Sequence, residues 1–235
     1  MASEQEFIRL SEQRGSAEHG LLQLAADFHL DAFQPSLFSL CGIHCPATIA
    51  AATRKRQAEY FAGRWLADRA LNAFGIDRFT LLADAKRCPQ WPEGLLGSIS
   101  HGDDKALCVT ASRQHYRAVG VDIQRRISAA AAAKLQQRIL SPSEIQLLAH
   151  SGLRHGDAVA LCFSAKESIY KALYPIVQRY FGYRAAELIA IDPSRSQLHF
   201  AISPELADLP GCPSEVKLLY EQVGELLRSS LLLEH

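Results

Sequence analysis

The chain contains no C-x-x-C pair and no second Cys/His pair at finger spacing, so its six cysteines do not frame a zinc module. The only cluster is CGIHC, with Cys41, His44 and Cys45, which falls short of the four ligands a structural zinc needs. Cysteines this sparse in 235 residues also exclude a disulfide scaffold and read as free thiols. Charge of one sign is missing too: Lys plus Arg number 25 and Asp plus Glu number 25, so no bulk charge points to nucleic acid or a membrane surface. No apolar run reaches the length needed to span a bilayer. The opening MASEQEFIRL has acids where a signal peptide has its apolar core. The expectation is a cytoplasmic protein. There is no Walker loop, no G-x-G-x-x-G and no G-x-S-x-G elbow, which removes P-loop, dinucleotide-binding and Ser-His-Asp hydrolase readings.

What is present is an ordinary globular balance, 48% apolar and 21% charged, in a length that allows one large domain or two small ones. Residues up to about Cys45 show short apolar runs without a period. A helix is predicted from about Pro46 to Phe74, with Ala58, Phe61, Trp65 and Leu66 as its apolar stripe and Gly75 as its stop. A turn-rich stretch, KRCPQWPEG, follows. LLGSIS and KALCVTAS read as strands joined by His101-Gly102-Asp103-Asp104, and YRAVGVDIQ as a third strand. Ser128 is placed to cap the alanine run, and Ser141-Pro142-Ser143-Glu144 spells a capping box with Pro at the first helical position. Asp157 is predicted to cap a longer helix that halts near Pro175. ELIAID, LHFAI and either EVKLLYEQ or GELLRSSLLL read as strands. Each half thus reads as helix first, then an antiparallel meander.

Three short stretches carry residues able to do chemistry. In GVDIQ, a strand puts Asp122 and Gln124 on one face and Val121 and Ile123 on the other. A carboxylate beside an amide oxygen suits a hard cation such as Mg2+; a polar outer face of a strand would look the same. In FSAKESIYKALYP, Glu167 and Lys171 stand four apart and face the same way on a helix. Ser164 and Glu167 also match a capping box, which would make Glu167 structural. A helix already under way at Asp157 removes that role, puts Phe163, Glu167, Lys171 and Tyr174 down one side, and is preferred. In GSISH, Ser100 and His101 close a strand, as a hydrogen-bonded turn or as part of a site. Arg54, Lys55, Arg56 and Arg64 form a basic helix face, solvated or phosphate-binding, with Arg56 and Arg64 near one line.

Taken in order, RKRQAEYFAGR, WPEGLLGSISH, GVDIQ and FSAKESIYKALYP resemble the 4′-phosphopantetheinyl transferase superfamily. The likeness is to its monomeric surfactin-type group, in the branch of enterobactin-synthesis and Pseudomonas-type enzymes. It spans about Arg54 to Tyr183. The resemblance implies an α+β fold of two pseudo-symmetric halves, each of helices packed on a small antiparallel sheet, with the active site in the cleft between them. The halves are expected at 1–118, on the nucleotide side, and 119–232, with the metal and catalytic motif; 233–235 reads as a tag remnant. The implied enzyme moves the phosphopantetheine arm of coenzyme A to a serine of an acyl, peptidyl or aryl carrier protein and releases adenosine 3′,5′-bisphosphate. Asp122, Gln124 and Glu167 would bind Mg2+, with Mn2+ as a substitute. Glu167 would also be the base, and Lys171 would contact the pyrophosphate. Arg56, Arg64, Lys86, Ser100 and His101 would hold the nucleotide end of coenzyme A. The implied partners are coenzyme A and carrier domains of peptide, polyketide or fatty-acid synthesis, without nucleic acid or membrane, and the implied state is a monomer. Gln124 departs from the Glu the family commonly has, which keeps open a coenzyme A-binding protein impaired at this position; an unrelated Mg2+-dependent nucleotide hydrolase is the other alternative.

Overall fold

A computed structural model describes residues 3–235. Met1 and Ala2, the first two residues of the stretch read as lacking a signal peptide, lie outside the described residues. The chain divides into two compact units, residues 1–117 with 234–235, and residues 118–233.

In the first unit the short helix α1 (Glu4–Phe7) leads into strands β1 (Ile8–Ser16) and β2 (Leu21–Phe28). The sequence hid both. β1 is an edge strand, mostly exposed and with an irregularity between Leu10 and Glu12, so it shows no alternation of apolar and polar residues. Helices α2 (Ser36–Leu40) and α3 (Ala47–Ala50) follow, then α4 (Arg54–Ala73), β3 (Leu95–Gly102) and β4 (Lys105–Ser112). The predicted helix from Pro46 to Phe74 is therefore broken. Thr53 takes an extended conformation and caps α4 by accepting from the Arg56 amide. Gln57 donates to the Ala50 and Ala52 carbonyls left over at the break. Gly75 does end α4, at a positive φ of 78° that glycine adopts without strain. The sheet order is β1-β2-β4-β3. α4 packs on it through Ala58, Phe61, Ala62, Trp65 and Leu66, against a cluster of Phe7, Phe28, Phe33 and Phe38.

Strand β5 (Tyr116–Arg125) leaves this sheet. This corrects the expected meander of the first half: β3 and β4 form a hairpin, but β5 is the edge of a second sheet, in the order β5-β9-β8-β7-β6. Its other strands are β6 (Ala186–Asp192), β7 (Gln197–Ile202), β8 (Glu215–Val223) and β9 (Leu226–Glu234), and these do run as a meander. Helices α5 (Ala129–Ile139), α6 (Pro142–Ala149), α7 (His155–Val177) and the short α8 (Pro204–Ala207) complete the chain. Ser128 caps α5, and Ser141 with Glu144 forms the capping box of α6, both as read from the sequence. Asp157 is not a cap. It sits inside the first turn of α7, buried, with Arg126 at 3.0 Å. The helix also passes Pro175 and ends at Val177, because Gln178 takes a left-handed conformation there. α7 buries Ala165, Ile169, Ala172 and Leu173 in a core shared with Leu198, Phe200, Leu218 and Leu231 of the sheet. Among the described residues no helix is long and apolar enough to cross a membrane.

Candidate functional site

Gly120 explains how a strand comes to face α7 closely enough for chemistry. A Cβ there would run into the backbone carbonyl of Ser168, so only glycine lets β5 lie this near the helix. Two residues on, Asp122 is buried, and helix α7 supplies its counter-ion. The Lys171 ammonium lies 2.7 Å from Asp122 Oδ1 and also donates to the Val121 carbonyl at 3.0 Å. The Gln124 amide donates to Asp122 Oδ2 at 2.8 Å, so both carboxylate oxygens carry a donor. The shared face of Asp122 and Gln124 is thus as the alternation predicted, but it is an interior face rather than a solvated one. A buried carboxylate is tolerated only when paired and hydrogen-bonded, which Lys171 and Gln124 together provide.

Glu167 lies one turn before Lys171 in the unbroken helix, and Ser164 is interior, bonded to the Ser229 hydroxyl at 2.8 Å. The capping-box reading of Glu167 is therefore removed. Its carboxylate is half-buried and accepts a hydrogen bond from the Tyr183 hydroxyl at 2.8 Å. Burial, followed by the hydrogen bond to Glu167 and its negative charge, holds the Tyr183 phenol above its ordinary value, so it stays a donor. Glu167, Tyr170, Tyr180, Phe181 and Tyr183 are among the walls of a cavity of about 230 Å³.

Lys166, the third charge of this stretch, does something else. Its ammonium is buried and is held by Glu144 at 2.7 Å, the Ile139 carbonyl at 2.9 Å and the Tyr183 carbonyl at 3.0 Å. Glu144 meanwhile accepts from the amides of Ser141 and Leu188, so the capping box of α6 doubles as the counter-ion of α7. The pattern of residues signals the cap but not the ion pair.

In the first unit, Arg56 Nη1 donates to His101 Nε2 at 2.7 Å. A guanidinium can only donate, so His101 accepts there and carries its proton on Nδ1. That nitrogen faces Glu59 Oε2 at 3.6 Å, the same oxygen that Arg56 approaches at 3.6 Å. Glu59 was overlooked in the sequence, although its place three and four residues after Arg56 and Lys55 is the signal for such pairs. The Arg64 guanidinium sits 4.8 Å from the Tyr60 ring centroid, and its buried Nε has no hydrogen-bond partner. Ser100 is buried on β3 opposite Leu107. Lys86 is an exposed side chain on a turn made by Asp84, which accepts from the Lys86 and Cys88 amides. Arg54 is structural, donating to the Asp31 and Phe33 carbonyls.

Asp122 and Gln124 are in contact, and in type a carboxylate beside an amide suits a hard divalent cation, with Asp122 already facing the Lys171 charge. Among the described residues no three His, Cys, Asp or Glu side chains form a metal cluster. The same holds for the CGIHC stretch, where the Cys41 thiol donates to Glu4 and is pushed up to about 11 by burial and by that carboxylate.

Two family models match the chain, the 4′-phosphopantetheinyl transferase N-terminal domain over residues 45–111 and the 4′-phosphopantetheinyl transferase superfamily over residues 118–214. The chain is 42% identical over 148 residues to enterobactin synthase component D of Salmonella typhi, covering 63% of this chain and 61% of that protein. It is 39% identical over 147 residues to enterobactin synthase component D of Escherichia coli O157:H7, covering 61% of this chain and 69% of that protein. A remoter likeness is to the holo-[acyl-carrier-protein] synthase structure of Thermotoga maritima, at 18% identity and a TM-score of 0.39, over 51% of this chain and 64% of that one. The chain belongs to the 4′-phosphopantetheinyl transferase superfamily. It spans about three-fifths, 61%, of the length of the Salmonella relatives it matches.

Proposed function

We propose that this protein transfers the 4′-phosphopantetheine arm of coenzyme A to a serine of a carrier protein and releases adenosine 3′,5′-bisphosphate. The observation that carries this reading is the group on β5 and α7: the buried Asp122 carboxylate paired with Lys171 and Gln124, with Glu167 one helical turn away. Glu167 takes the proton of the serine hydroxyl as its oxygen bonds to the arm's phosphorus. The pyrophosphate bridge to the nucleotide breaks, and Lys171 turns its ammonium toward the charge that develops there. Asp122, Gln124 and Glu167 would hold Mg2+, which when bound neutralises charge on the pyrophosphate. Arg56, Arg64, Lys86, Ser100 and His101 bind the nucleotide end, where guanidinium forks match phosphate oxygens. The protein works in the cytoplasm as a monomer, on carriers of peptide, polyketide or fatty-acid assembly. The test is incubation with coenzyme A, Mg2+ and several carrier proteins, followed by intact-mass measurement. A carrier heavier by one arm supports the reading. Free phosphopantetheine without a modified carrier would mean a hydrolase, and binding without turnover a coenzyme A-binding protein.

The nucleotide end is tested separately. Arg56→Ala and His101→Ala are each expected to weaken coenzyme A binding by about ten- to a hundredfold, the effect of one lost charge-assisted hydrogen bond. Calorimetry with 3′-dephospho-coenzyme A should show a smaller penalty. An equal penalty for both ligands would move these residues away from the 3′-phosphate.

Gln124 is the departure from family pattern, and its amide in contact with Asp122 supplies an oxygen donor without a charge. The Gln124→Glu variant is expected to reach half its maximal rate at lower free Mg2+, since a further carboxylate attracts the cation more strongly. Superimposable Mg2+ titrations of the two proteins, at saturating coenzyme A, would place position 124 outside the metal shell.

A further inference from the structure

Adjacent residues of α7 grip opposite ends of one tyrosine. Lys166 donates to the Tyr183 carbonyl at 3.0 Å, and Glu167 accepts from the Tyr183 hydroxyl at 2.8 Å. We propose that Tyr183 is a positioning residue that fixes the Glu167 carboxylate, occupying Oε1 so that Oε2 is turned to the acceptor hydroxyl. This rests on the transferase reading above.

A glutamate side chain has three rotatable bonds, and a base must be held within hydrogen-bond reach of the proton it takes. Tyr183 is itself well held. Its ring packs on Phe163 with centroids 5.7 Å apart. Its backbone is tied through Lys166 to Glu144, which is tied to the Leu188 amide at the start of β6. The phenol therefore reaches Glu167 from a fixed point, and the carboxylate inherits that rigidity. Two neighbouring charges divide the work: Lys166 anchors the tyrosine, and Glu167 uses it. The hydroxyl is the only polar atom of the side chain, so Tyr183→Phe removes the hydrogen bond and keeps the ring contacts. In a positioning role, the loss of this hydrogen bond appears in the rate.

The experiment compares wild type and Tyr183→Phe in steady-state transfer to one carrier, in thermal melting, and in crystal structures of both proteins. The expected result is a fall in kcat of about tenfold, with KM for coenzyme A within twofold, a cooperative melt, and the Glu167 side chain in more than one rotamer. Full kcat in the variant, an equal loss through KM, a lost melting transition, or a Glu167 carboxylate unmoved in the crystal would each overturn the assignment. Wild type that fails to modify any carrier overturns the transferase reading and this role with it; wild type that transfers beside an undiminished variant overturns this role alone.

Discussion

Glu167→Ala is expected to lower transfer by about a hundred- to ten-thousandfold, the usual contribution of a positioned general base. The side chain is half-buried on an unbroken helix, and its hydrogen-bond partner is a tyrosine rather than a backbone amide of its own helix. It therefore caps nothing, and its removal leaves the helix intact. The loss should appear in kcat. Coenzyme A binding, measured by calorimetry without Mg2+, should stay close to wild type, because the nucleotide-end residues are untouched. A folded Glu167→Ala protein that retains most of its rate would show that the base lies elsewhere.

Lys166→Met is expected to destabilise the fold by about 3–5 kcal/mol, through a mechanism unrelated to catalysis. Lys166 and Glu144 form a pair whose side chains are each 1% exposed. Deleting the ammonium strands the Glu144 carboxylate in the interior and leaves the Ile139 and Tyr183 carbonyls without their donor. Urea denaturation reads the change. Adding Glu144→Gln should recover part of it, since the stranded charge is then gone while an oxygen remains for the Ser141 and Leu188 amides. A Lys166→Met protein within about 1 kcal/mol of wild type, the range of an exposed pair, would show that water reaches the site.

Together these two substitutions separate charges that are neighbours in the chain. On a helix, residues 166 and 167 point about a hundred degrees apart. One therefore enters the core, while the other stays at the edge of a cavity.

Local pattern alone specified much of the second unit. The Ser128 cap, the Ser141–Glu144 capping box, the run of strands after α7 and the continuity of α7 through Ser164 all depend on interactions within a few residues, which a linear chain displays. The alternation in GVDIQ likewise put Asp122 and Gln124 on one face, since strand period is a local property. The first strand was not legible, because an exposed edge strand has no buried face to impose alternation. The destination of β5 was not legible either, since sheet pairing is decided by distant partners and not by the strand itself. Tertiary structure alone assigned Lys166 to Glu144, Lys171 to Asp122 and Tyr183 to Glu167, across 22, 49 and 16 residues of chain. A charge in a sequence carries its sign and its spacing. Its partner is chosen by burial, because only an interior of low dielectric makes an unpaired ion costly enough to dictate who stands beside it.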